Sequence, residues 1–216
     1  GGATTSSTGG QGGNAVTCIP FQGSGTTGTD TWQDGTDTST VSIGDRDTCT
    51  RSYSLYTTAS LRDSLPSNPR QYAEAPGQSV VRTGNDMFDA LYALAIEETR
   101  QASVDSIHDG SFNGGNPLPC PTGGCFETGE KWTYVWTRDT AYSTELGLGP
   151  IDPTRTRNSL EFKTSFHRDG TKREIVQDTG TGGSWPISSD RVVWAQGAWD
   201  LLKYLSGDER TAFRDL

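Results

Sequence analysis

Lys131–Tyr142 reads KWTYVWTRDTAY, and the fold assignment depends on what this stretch is for. Two tryptophans, Trp132 and Trp136, and two tyrosines, Tyr134 and Tyr142, surround the adjacent opposite charges Arg138 and Asp139. Neighbouring residues on a helix do not face each other, so an intrahelical salt bridge does not account for the pair. Arg presents a planar fork of donors and Asp accepts, a combination that suits two vicinal hydroxyls of a polyol. An indole beside them supplies a flat apolar surface for the C–H face of a pyranose ring. The competing account is a core Trp flanking a partly buried neutral pair at a helix start, and the residues alone leave both open.

The segment YVWTRDTAYS resembles the WTRD segment of glucoamylases and related glycosidases built on an (α/α)6 barrel, the six-hairpin fold. In that superfamily the Arg-Asp pair holds hydroxyls of the terminal glucose and an aromatic lines the same subsite. The resemblance therefore implies substrate-binding roles for Trp136, Arg138 and Asp139. A second segment, SWPISSDRVVWAQGAWDLLKYLSGD, is similar to a later helix start in the same superfamily, which includes glycogen-debranching glucosidases. There an Asp opens a helix at the cavity mouth, and Asp190 is the match. Everything before Val80 lies outside the resemblance.

Composition narrows the classes. Only 31% of the 216 residues are hydrophobic and 27 are Gly, which is lean for one compact globule. With 18 basic against 27 acidic residues the net charge is -9. Nucleic acid and anionic membrane surfaces are thereby disfavoured as partners, and no apolar stretch is long enough for a transmembrane segment. Cys18, Cys49, Cys120 and Cys125 make an even set. CPTGGC suits a small disulfide-closed loop, and zinc competes poorly because no CxxC pair exists. Pairings Cys18–Cys49 and Cys120–Cys125 are expected. They point to an oxidising compartment, hence a secreted, periplasmic or cell-surface protein, with a lipoprotein tether as one form of attachment. Neither a metal nor a cofactor is expected.

Along the chain, residues 1–14 are a flexible Gly/Ser/Thr-rich tether. Residues 15–79 read as a small β-rich leader: AVTCIPF, STVSI and TRSYSLYTT separated by turn formers. Its Asp-rich turn (Asp30, Asp34, Asp37) fails the EF-hand spacing. NDMFDALYALAIEETRQASVDSI predicts a helix over 85–107, capped by Asn85, with Met87, Leu91, Leu94 and Ala95 at helical spacing. It is read as a first barrel helix. A helix over 137–146 follows, and Asp152-Pro153 opens another. Asp169-Gly170 suits a hairpin turn, and Trp185 is either a lid or a second sugar platform. The last long helix, 190–204, carries two apolar stripes and is expected to be buried between neighbours.

The expected fold is thus mainly α: a partial (α/α)6 toroid over 80–216, its first helical hairpins, preceded by the β leader. The expected function is glycoside hydrolysis at α-glucosidic or related linkages by an inverting two-carboxylate mechanism, this chain supplying part of the −1 subsite for an oligo- or polysaccharide. Substrate-binding candidates are Trp136, Arg138, Asp139 and Trp185. Asp190 is the candidate general acid, with the base expected beyond Leu216 by the family pattern. The alternatives are a non-catalytic carbohydrate-binding module and an inactive partial chain that needs its C-terminal half. Oligomeric state is open.

Overall fold

The computed structural model describes residues 27–46, 48–60, 67–110, 113–165, 173–176 and 189–216. Its contacts divide the chain into two units, Gly1–Glu98 and Thr99–Leu216.

The first unit is a four-stranded antiparallel meander with a helix on one face. Strands β1 (Gly28–Asp34), β2 (Asp37–Gly44), β3 (Ser52–Thr57) and β4 (Arg70–Ala73) lie in sequence order. Asp34-Gly35-Thr36-Asp37 makes the first hairpin, and Gly35 takes the positive φ (58°) that a two-residue turn demands. Ile43 lies opposite Tyr53 and Tyr53 opposite Tyr72, so alternate residues from three strands share one face. Against that face packs α1 (Asp86–Gln101), through Ala90 and Ala93 with Met87 and Leu94 alongside. Asn85 caps the helix, its Oδ1 accepting from Phe88 N at 2.8 Å.

Beneath the apolar core runs a buried charge network. Arg51 reaches Asp89 at 3.3 Å, and Asp89 also accepts from the Thr83 backbone and hydroxyl. Glu74 accepts from the Arg82 fork at 2.7 and 2.5 Å, from Tyr53 OH at 2.7 Å and from Arg51 N at 3.0 Å. Burial alone would raise the Glu74 carboxyl. The Arg82 fork, the Arg51 N–H and the Tyr53 hydroxyl outweigh it and hold the carboxyl below its ordinary value.

In the second unit, β5 (Ser103–Val104) and β6 (Ser106–Ile107) precede a short turn of 3-10 helix at Asn113–Gly115. They pair with β8 (Cys125–Phe126) and β7 (Leu118–Pro119) respectively. Helix α2 (Thr137–Ser143) continues through a π-turn at Thr144–Leu148 into the short α3 (Gly149–Ile151). Helix α4 (Pro153–Phe162) has the expected start: Asp152 accepts from Arg155 N at 2.9 Å and Pro153 takes the first position. The two-residue strands β9 (Thr164–Ser165) and β10 (Glu174–Ile175) pair antiparallel, and α5 (Asp190–Leu201) and α6 (Gly207–Arg214) complete the unit. Its main core joins Ala141, Leu160, Val193, Leu201, Leu205 and Phe213.

Cys120 and Cys125 are disulfide-bonded, with Cα atoms 5.7 Å apart. Gly123 and Gly124 both take positive φ inside the loop (100° and 75°). From α4, Asn158 Nδ2 donates to Thr122 O at 3.0 Å and to Gly124 O at 2.8 Å, and Arg155 Nη1 donates to Cys125 O at 3.4 Å. Cys49 is disulfide-bonded; Cys18 lies outside the described residues, and with it the expected Cys18–Cys49 pairing.

This architecture overturns the expected mainly-α partial (α/α)6 toroid. The described residues form an antiparallel sheet covered by a helix, followed by a helical unit with three two-stranded ladders. The helix taken as the first of a barrel is instead the cover of a sheet. Its apolar stripe meets alternating strand residues rather than another helix, and it stops at Gln101, after which the chain enters β5. The expectation that α5 is buried between neighbours also fails. Val193, Gly197 and Leu201 are buried, whereas Val192 and Trp199 are 72% and 71% exposed. Among the described residues no helix is long and apolar enough to cross a membrane.

Candidate functional site

The site is built where α2 and α5 start. The two helices run in the same direction: Arg138 meets Asp190 in their first turns, and beyond their far ends Gly149, at the start of α3, meets Tyr204, after α5. Between these points Gly197 lies on Ala141 so closely that an added Cβ would come within 2.9 Å of Ala141 Cα and O. Only glycine lets the helices approach this far, and the approach sets the spacing of their first turns. Gln196 Nε2 donates to Glu145 Oε2 at 2.9 Å and adds a polar tie.

Asp190 is fully buried (0% exposed), and its Oδ1 lies 3.6 Å from Arg138 Nε. Arg138 keeps 43% of its side chain exposed. A guanidinium in this setting has one edge turned to a carboxylate and donors left for solvent or ligand. Asp139, its neighbour in sequence, is exposed on the first turn of α2. The structure thus brings Arg138 to Asp190, from a helix start 52 residues further along, while Asp139 faces solvent. Trp185 lies outside the described residues.

Trp136 immediately precedes α2 and belongs to an aromatic fan. Its ring meets Trp132 edge-on with centroids 6.3 Å apart and Tyr134 edge-on at 6.2 Å; Tyr134 meets Phe162 at 5.9 Å. Trp132 is 53% exposed. The backbone beneath is tied to the segment leaving β8: Thr128 N donates to Tyr134 O at 3.0 Å, and Trp136 N donates to Thr128 Oγ1 at 3.3 Å. Thr137, fully buried, donates its hydroxyl to Val176 O at 2.8 Å.

Two polar residues of this neighbourhood escaped the sequence reading. Lys163, at the end of α4, is only 1% exposed, with Nζ 4.6 Å from the Tyr134 ring centroid. Glu127 precedes Thr128 on the segment that ties down the fan, and burial pushes its carboxyl above the ordinary glutamate value. No spacing marks either one. Lys163 is one Lys after an amphipathic helix, and Glu127 sits in the turn-like run ETGE.

What the arrangement can do is bind a neutral polyhydroxylated ring. It combines outward donors, an orienting buried carboxylate and an aromatic surface. The chain matches no protein-family model, no curated protein and no solved structure.

Proposed function

We propose that this chain carries a sugar subsite for glycoside hydrolysis at α-glucosidic or related linkages. Arg138, oriented by the buried Asp190, holds hydroxyls of one ring, and Trp136 lines the same place. The observation that carries the reading is the Arg138–Asp190 pair, half open to solvent, at the start of two closely packed helices beside an aromatic fan. A buried carboxylate beside a guanidinium fixes the direction in which its remaining donors point. Asp190 is therefore proposed as the residue that orients Arg138.

Hydrolysis of an aryl α-glucoside by the full chain, with Arg138→Lys and Asp190→Asn beside wild type, tests the reading. Each charge-assisted hydrogen bond is worth about 1.5–3 kcal/mol, so kcat/KM should fall at least about tenfold in each variant. Lys cannot reproduce the fork. Loss of thermal stability with turnover per folded molecule unchanged would make the pair structural and sink the proposal. Binding of maltotriose without any turnover would instead identify a non-catalytic carbohydrate-binding protein using the same residues.

A further inference from the structure

Lysine is seldom buried completely, because its ammonium is costly to remove from water. Lys163 is nevertheless 1% exposed, at the end of α4. Its backbone is fixed on both sides: Lys163 N donates to Leu160 O at 3.1 Å, and Lys163 O accepts from Val176 N at 2.8 Å. Its ammonium lies over the face of Tyr134, 4.6 Å from the centroid, within the range of a cation–π contact. The preceding residue, Phe162, meets the same ring edge-on at 75°. Tyr134 is therefore gripped by two consecutive residues of one helix end, one on its face and one at its edge.

That grip is transmitted outward. Tyr134 meets Trp136 at 75°, and Trp136 meets Trp132 at 85°. In a chain of perpendicular contacts, the plane of each ring constrains the plane of the next. The backbone bonds to Thr128 fix where these residues start; the rotamers are left to the side-chain contacts. We propose that Lys163 is a positioning residue for the sugar subsite: through Tyr134 it sets the plane of the Trp136 indole on which a pyranose ring stacks. This rests on the sugar reading above.

The experiment uses the full chain with Lys163→Met, Tyr134→Phe and Tyr134→Leu, read in two ways. Near-ultraviolet circular dichroism without ligand reports the packing of the indoles, and titration with maltotriose reports affinity. Met keeps the length and apolar character of the lysine stem, so far-ultraviolet spectra and cooperative unfolding should survive. The indole bands should change, and maltotriose affinity should fall about five- to tenfold. Tyr134→Phe keeps the ring face and should behave as wild type, whereas Tyr134→Leu should reproduce Lys163→Met. The double variant Lys163→Met/Tyr134→Leu should be no worse than either single one.

Indole bands and affinity unchanged in Lys163→Met would reduce the lysine to filler and overturn the proposal. If Lys163→Met does not fold, the tyrosine pair decides, and identical indole bands in Tyr134→Phe and Tyr134→Leu would overturn it. If wild type binds no maltotriose, the sugar reading fails by itself, while the ligand-free spectra still decide whether Lys163 sets the rings.

Discussion

Glu127 and Asp190 are two carboxyls of one unit in different surroundings. Asp190 is enclosed and lies 3.6 Å from the Arg138 guanidinium. Glu127 is partly enclosed without such compensation, and its carboxyl is held above the ordinary value by burial alone. The sign of the stability effect follows from that direction. A raised carboxyl contributes stability below its unfolded pKa and loses it as pH rises through the folded value. Glu127→Gln should therefore leave the fold as stable or slightly more stable at pH 7. Thermal unfolding of wild type and variant at pH 7 checks it, and a clear loss of stability in the variant would show that the charged carboxylate is favourably held. None of this was visible in the sequence: ETGE reads as a turn, and burial belongs to the folded chain.

The pairing of α2 with α5 is decided by a contact too short for any side chain. Gly197 sits mid-helix, where it costs roughly 1 kcal/mol of helix propensity relative to Ala. It is tolerated because an alanine Cβ there would meet Ala141 Cα and O at 2.9 Å, and backbone cannot yield as a flexible side chain can. Gly197→Ala should therefore destabilise by about 1–3 kcal/mol despite its better propensity, measured by chemical denaturation. It should also widen the Arg138–Asp190 spacing and weaken sugar binding.

Caps and starts of these elements were legible because capping chemistry is local: Asn85 before α1, and Asp152-Pro153 before α4. What each apolar stripe packs against was not. The stripe of α1 fits a sheet as well as a helix, and period alone does not distinguish them. In α5 both stripes are apolar, yet only one is covered among the described residues. Likewise β1 carries so few apolar residues that TDTWQD reads as turn text.

At the scale of the molecule, each unit has its own core, and the first is tied together by charge as well as by apolar contact. Its ion partners lie as far apart in sequence as Arg51 and Asp89, or Arg46 and Asp86, so no local pattern discloses them. Glu74 gives this network a pH signature. Its folded pKa is depressed, so its contribution is complete above the ordinary glutamate value of 4.5 and is lost as pH falls through the lower folded value. Hydrogen exchange of the β3 and β4 amides should accelerate over that acid window. Glu74→Gln should erase the pH dependence and cost about 3 kcal/mol at pH 7, the low end for breaking a buried pair. A pH dependence that persists in Glu74→Gln would place it elsewhere in the network.

The Cys120–Cys125 loop has a consequence for how the protein meets a reducing environment. The sulfurs close a ring of sequence separation 5; so short a ring removes only about 2 kcal/mol of chain entropy from the unfolded state. The shape of the loop is meanwhile written a second time, in the amide of Asn158 clasping two of its carbonyls and in the positive φ of Gly123 and Gly124. Thiols in place of the bridge would leave both of those intact. Two-electron reduction of this loop cleaves the S–S bond to two thiols and leaves those constraints in place, so the loop keeps its form and the chain that follows it into Glu127 keeps its starting point.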